Sequence, residues 1–160
     1  MQREQETKII RALRGDIKAV KSLVLKLIDE LEPINEMEPM GPGYDNFLEQ
    51  YLRNSLNDER EIILLAVEDG EYAGVSETRL RKSPSPAQPK SYGYITWFYV
   101  RPEYRRRGIG RRLLEATRQQ LKIRGAEQLR LGALSKNSRA IEFWDAMGFD
   151  PGVITMFRSI

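Results

Sequence analysis

The chain has 160 residues, of which 41% are hydrophobic and 31% charged, with a net charge of +3. That length suits one domain, 1–160, able to bury roughly two-thirds of its unfolded surface. With neither cysteine nor histidine, disulfides, thiolate nucleophiles, cysteine-based metal sites and an ordinary Ser-His-Asp hydrolase are excluded.

Ile9 to Ala12 is a short apolar segment that reads as a first strand. Asp16 is placed to cap a helix, in which Ile17, Val20, Leu23, Val24, Leu27, Ile28 and Leu31 make an apolar stripe at three- and four-residue steps, ended by Pro33. Glu32 to Gly43 is punctuated by Pro and Gly and reads as loop. Phe47, Leu48, Tyr51, Leu52 and Leu56 suggest a second helix. Ile62 to Val67 is a compact apolar strand, Asp69-Gly70 a turn, and Tyr72 to Leu80 its hairpin partner.

Ser83 to Lys90 holds three prolines in eight residues and reads as a loop. Tyr92 to Val100 is aromatic and β-branched, hence a strand that Pro102 stops. Ile109, Leu113, Leu114, Thr117 and Leu121 predict a third helix ending near Gly125. Leu129 to Leu134 reads as a strand, Ala140 to Met147 as a fourth helix closed by Gly148, and Val153 to Phe157 as a closing strand. The order is that of a mixed α/β domain, a hairpin followed by β-α-β-α units. No apolar run approaches the roughly 18 residues of a membrane span, and Met1 to Lys8 lacks the apolar core of a signal peptide. A cytoplasmic location is the default expectation.

Between the strand ending at Val100 and the third helix stands Arg105-Arg106-Arg107-Gly108-Ile109-Gly110. A helix start leaves amides unpaired and carries partial positive charge, which suits phosphate. Gly108 and Gly110 let an anion approach the backbone closely, and arginines add charge-assisted hydrogen bonds. The segment matches neither a P-loop nor a dinucleotide fingerprint. Five arginines lie within Arg105 to Arg112, but the near-balanced total charge argues against nucleic acid as the partner.

The wider segment Val100-Arg101-Pro102-Glu103-Tyr104-Arg105-Arg106-Arg107-Gly108-Ile109-Gly110 resembles the acyl-CoA-binding motif of the GNAT acetyltransferase superfamily. Asn137-Ser138-Arg139-Ala140-Ile141-Glu142-Phe143-Trp144, running on to Gly148-Phe149, resembles that family's second signature. The resemblance implies a GNAT-like fold, with about six to seven strands in a mixed central sheet, about four flanking helices, and central strands splayed at a bulge to hold acyl-CoA. It implies an N-acetyltransferase that passes an acetyl group from acetyl-CoA to a primary amine of a small molecule, peptide or protein, by direct attack in a ternary complex. No metal is implied. Backbone amides of Arg106, Arg107, Gly108, Ile109, Gly110 and Arg111 would hold the pyrophosphate, with Arg105 opening the motif. Phe98 and Val100 would pair with the pantetheine arm like an added strand, and the Val100 amide would also stabilise the oxyanion. Asn137 and Trp144 would complete the cofactor contacts.

Two departures from the family bear on catalysis. Trp144 stands where a tyrosine often serves as general acid, and an indole is no practical proton donor. Tyr92, Tyr94 and Tyr99 are the nearest phenols in sequence, and Tyr99 is the candidate acid. Tyr92 to Val100 contains no carboxylate, so Glu77 on the preceding strand is the candidate base. These departures also fit the alternative of a non-catalytic acyl-CoA-binding regulatory domain. The acidic set Glu30, Glu32, Glu36, Glu38 and Asp45 would suit a cationic acceptor or simply a solvated surface. A homodimer is left open.

Overall fold

A computed structural model describes residues 6–84 and 86–160. The first residues of the polar N-terminal stretch and Ser85 of the Pro-rich loop lie outside the described residues. One sheet is built from β1 (Thr7–Arg11), β2 (Glu61–Glu68), β3 (Glu71–Lys82), β4 (Ser91–Val100) and β5 (Gln128–Leu131), in that spatial order. Neighbours are antiparallel except β4 and β5, which run parallel. Four α-helices flank it: α1 (Ile17–Leu31), α2 (Tyr44–Ser55), α3 (Ile109–Ile123) and α4 (Ser138–Ala146). Among the described residues no helix is long and apolar enough to cross a membrane.

The sheet thus has five strands where six to seven are expected. Val153 to Phe157 forms no strand, and Val153, Ile154, Met156 and Phe157 are exposed. Pro151 lacks an N–H and Gly152 a side chain, so the segment leaves α4 through residues that weaken ladder pairing, and its alternation meets no partner. β5 ends at Leu131 rather than Leu134, just before Gly132.

The two faces of the sheet are packed differently. Val20, Leu23, Val24 and Ile28 of α1, with Leu48 and Leu52 of α2, bury against Ile63, Leu65, Val75 and Tyr99. On the opposite face Leu113 and Leu121 of α3 pack on Ile62 and Leu64. Ile109, only 1% exposed, seats the first turn of α3 against Ala66 and Ala73. The Ser76 and Thr117 hydroxyls, 3.0 Å apart and buried, tie the middle of α3 to β3. Asp16 does not cap α1 through its side chain. It accepts instead from the Leu13 N–H at 2.8 Å and the Tyr72 hydroxyl at 3.1 Å, pinning the start of α1 to β3.

Candidate active site

β4 and the edge strand β5 separate half-way along β4. Their pairing runs from Tyr92–Gln128 to Ile95–Leu131 and stops there. On the other side of β4 a bulge falls at the same level, where Glu77 pairs with Trp97 but Thr78 pairs with Ile95, leaving Thr96 unmatched. Beyond the bulge, the Arg101 N–H donates to Ala73 O at 2.9 Å. Strand alternation then turns Tyr99's backbone groups toward β3 and those of Phe98 and Val100 toward the gap. The Val100 carbonyl is already engaged, accepting from Arg105 Nε at 2.7 Å. The Phe98 amide and carbonyl and the Val100 amide are left facing the opening.

This gap opens into a cleft of about 470 Å³ between α1, the end of β4, the start of α3 and α4. The turn before α3 curls through two left-handed residues, Arg106 at φ 62° and Gly108 at φ 76°. The first bond back into the helix is from the Arg112 N–H to Gly108 O, so the amides of Ile109, Gly110 and Arg111 have no intrahelical acceptor. Arg105, Arg106, Gly108, Ile109, Gly110 and Arg111 all line the cleft. Arg107 differs, because its guanidinium pairs with Glu68 at 2.7 Å and lies over the Tyr104 ring. A Cβ on Gly110 would stand 3.2 Å from the Phe143 ring, so this glycine allows α4 to close over the turn.

α4 buries no side chain completely. It is held by aromatic contacts, with the Trp144 ring edge-on to Phe98 at 4.9 Å and to Phe149 at 5.2 Å. Phe143 packs on Phe98 at 5.7 Å. Trp144 and Phe143 therefore form an aromatic wall of the cleft. Asn137 also lines it, while its side-chain oxygen caps α4 by accepting from the Ala140 N–H at 3.2 Å.

Sequence reasoning named Glu30 only as one of an acidic set and did not place it in the cleft wall. Its carboxylate lies in the cleft wall and receives both Arg105 contacts at 2.8 and 2.9 Å, Arg139 at 2.8 Å, and the Tyr99 hydroxyl at 3.1 Å. Burial works to raise its pKa, but the hydrogen bonds from Arg139 and Arg105 outweigh that and hold it below the ordinary glutamate value. The missed signal was helical spacing: Leu27, Glu30, Leu31 and Ile34 share one face and all line the cleft. Two of the other four acids are paired as well, Glu36 with Lys136 and Asp45 with Lys21.

The two candidate proton-transfer groups are differently disposed. Glu77 is fully buried on the α1/α2 face, and neither carboxylate oxygen has a hydrogen-bond partner. Burial, then the charge of Glu61, raises its pKa to about 7. The Tyr51 and Ser55 hydroxyls lower it in part, though neither reaches good hydrogen-bond geometry. Tyr99 is pushed up to about 12 by burial and by the charge of Glu30. Its phenol therefore yields a proton less readily than a thiol with a pKa of about 8.5, which argues against Tyr99 as the acid for a departing thiolate.

A strand edge left open beside a concave row of helix-start amides, with arginines at the rim, fits a ligand that joins an extended amide-bearing arm to a diphosphate. That is the architecture of an acyl-CoA-dependent transferase. The profile of the acetyltransferase (GNAT) family matches residues 25–149, and the chain belongs to this family. An aminoglycoside N(6')-acetyltransferase type 1 of Stenotrophomonas maltophilia is 27% identical over 110 residues, 68% of this chain and 72% of the relative. Among solved structures, aminoglycoside N-acetyltransferase AAC(6')-Iy in complex with CoA superposes with a TM-score of 0.78 at 15% identity, covering 100% of this chain and 98% of the other. A predicted acetyltransferase from Clostridium acetobutylicum with acetyl-CoA gives 0.77 at 24% identity, covering 96% of each chain. The chain is an acetyl-CoA-dependent acetyltransferase by class.

Proposed function

We propose that this protein acetylates a primary amine of a small molecule or peptide, with acetyl-CoA and the amine held together and no covalent enzyme intermediate. The reading rests above all on the open Phe98–Val100 edge meeting the amides of Ile109 to Arg111 in one cleft. Acetyl-CoA supplies an acyl group already activated as a thioester. The chain's part is to hold, polarise and deprotonate. Backbone amides from Arg106 to Arg111 bind the diphosphate, with Asn137 and Trp144 flanking the arm.

The Val100 amide, pointing into the gap, stabilises the developing oxyanion. The Phe98 amide faces the same way, next to Trp97, the residue opposite Glu77. Glu77, with a pKa near 7, accepts the amine proton. It sits on β3, across β4 from the gap, so the proton travels through water. Trp144 and the hardly acidic Tyr99 leave CoA to depart as thiolate.

The test is release of free CoA across a panel of aminoglycosides, polyamines, lysine analogues and amino-terminal peptides. The AAC(6')-type relatives put aminoglycosides first. Turnover of at least one primary amine is expected. CoA binding without turnover across the whole panel favours a non-catalytic acyl-CoA-binding domain instead.

A further inference from the structure

Four charged or polar groups meet in the wall of the cleft, and their arrangement has a direction. Arg105 is gripped at three points, by the Val100 carbonyl and both Glu30 oxygens, and its side chain is 22% exposed. Arg139 has one polar contact among the described residues, Glu30 Oε2 at 2.8 Å, and its side chain is 64% exposed. One arginine braces α1 to the end of β4. The other stands exposed on α4 and, among the described residues, is tethered to Glu30 alone. Glu30 stands between them with a full negative charge, in a cleft whose other rim offers the unpaired amides of α3.

An anionic ligand reaching those amides brings like charge toward Glu30 and competes with it for Arg139. We propose that Glu30 is an internal rival of the cofactor phosphates: it holds Arg139 in reserve, surrenders it when phosphate enters the cleft, and so sets how strongly the protein favours the phosphate-bearing part of CoA. The proposal rests on the cleft being the acyl-CoA site. Arg105 keeps its bond to the Val100 carbonyl throughout, which leaves that carbonyl unavailable to the ligand's arm. Arg139 is the specificity-determining partner and Glu30 the residue that tunes it.

Binding of CoA and of pantetheine, which lacks phosphate, separates this idea from a merely structural role. Calorimetric titration of wild type, Glu30→Gln, Arg139→Ala and the double variant is the measurement, with thermal unfolding as a check on each. Glu30→Gln should tighten CoA about three- to fivefold near 50 mM salt, with the gain shrinking toward 500 mM and no change for pantetheine. Arg139→Ala should weaken CoA and leave pantetheine unaltered, and in that background Glu30→Gln should add little. Glu30→Gln protein that binds CoA no tighter than wild type, or weakens CoA and pantetheine alike, overturns the proposal. So does an Arg139→Ala variant with unchanged CoA affinity, a result that does not depend on Glu30→Gln folding well. Wild-type protein that binds neither ligand overturns the cofactor assignment itself, and this proposal with it.

Discussion

Glu77 and Trp97 face each other across β3 and β4 with the carboxylate and the indole N–H both lacking hydrogen-bond partners. Buried polar atoms left unpaired are costly, and such atoms in a native protein ask for a reason. A base that must take up a proton supplies one. With Glu77 near pKa 7, kcat/KM for the amine should rise as pH increases through about 7, because the ionised carboxylate is the active form. Glu77→Gln should remove that limb and lower kcat/KM at pH 8 by roughly 10²-fold. A variant that keeps the wild-type pH profile rules Glu77 out as the base.

The same residue sets a stability trend of opposite sign. Its native pKa, about 7, lies above the ordinary value of 4.5. The folded state therefore holds the proton more tightly than the unfolded state does. This contribution is fully present below about 4.5 and is lost as pH rises through about 7. Glu77→Gln should raise the Tm at pH 8 by roughly 5 °C, with the gain shrinking toward pH 5. Melting curves across that range check it.

Gly108 and Gly110 should fail for different reasons. Gly108 has open space around it but sits at φ 76°, so Asn should be tolerated and Val should not, by roughly 1–2 kcal/mol. Gly110 has ordinary backbone, but any Cβ meets the Phe143 ring at 3.2 and 3.3 Å. Gly110→Val should push α4 away from the turn and weaken CoA binding about tenfold or more. Calorimetry on Gly108→Asn, Gly108→Val and Gly110→Val separates backbone strain from lost packing.

Tyr99→Phe tests the departure of CoA as thiolate. The phenol is pushed up to about 12 and donates to Glu30. Removing it should change kcat by less than about threefold, whereas loss of a general acid costs roughly 10² or more. Trp144→Phe, which keeps the aromatic wall, should behave similarly. A large fall in kcat for Tyr99→Phe with KM unchanged restores it as the acid.

Thr117 and Ser76 should show strong coupling. Thr117→Val strands a buried Ser76 hydroxyl and should cost about 1–3 kcal/mol. Adding Ser76→Ala should recover much of that, since neither partner is then left unsatisfied. Urea unfolding of the two single variants and the double variant closes the cycle.

The sequence carried the proposed phosphate-binding end of the candidate site more plainly than the proposed catalytic end. An anion-binding turn is local: a strand, an Arg-Gly turn and a helix start fall within Val100 to Gly110, and Val100, Arg105, Arg106, Gly108, Ile109 and Gly110 line one cleft. Periodicity marked α1 over the residues it occupies, because its stripe is long and one-sided. The ion pairs that Glu30 makes in the cleft were not legible, since they join residues far apart in the chain, Glu30 with Arg105 and Arg139. Glu77 could be picked only as the acid nearest the right strand. Its burial depends on α2 packing over it, which no local pattern encodes. Val153 to Phe157 alternates as a strand should, yet alternation specifies a face and not a partner, so the segment joins no sheet and stays exposed.

The separation of β4 from β5 has a consequence for hydrogen exchange. Along the end of β4, the amides of Tyr99 and Arg101 face β3, while those of Phe98 and Val100 face the gap. One strand should therefore show two exchange rates alternating residue by residue, slow for the first pair and fast for the second. A ligand arm laid along the gap slows the fast pair and leaves its neighbours as they were. Occupancy of the cleft is written into the backbone as the loss of that two-residue rhythm.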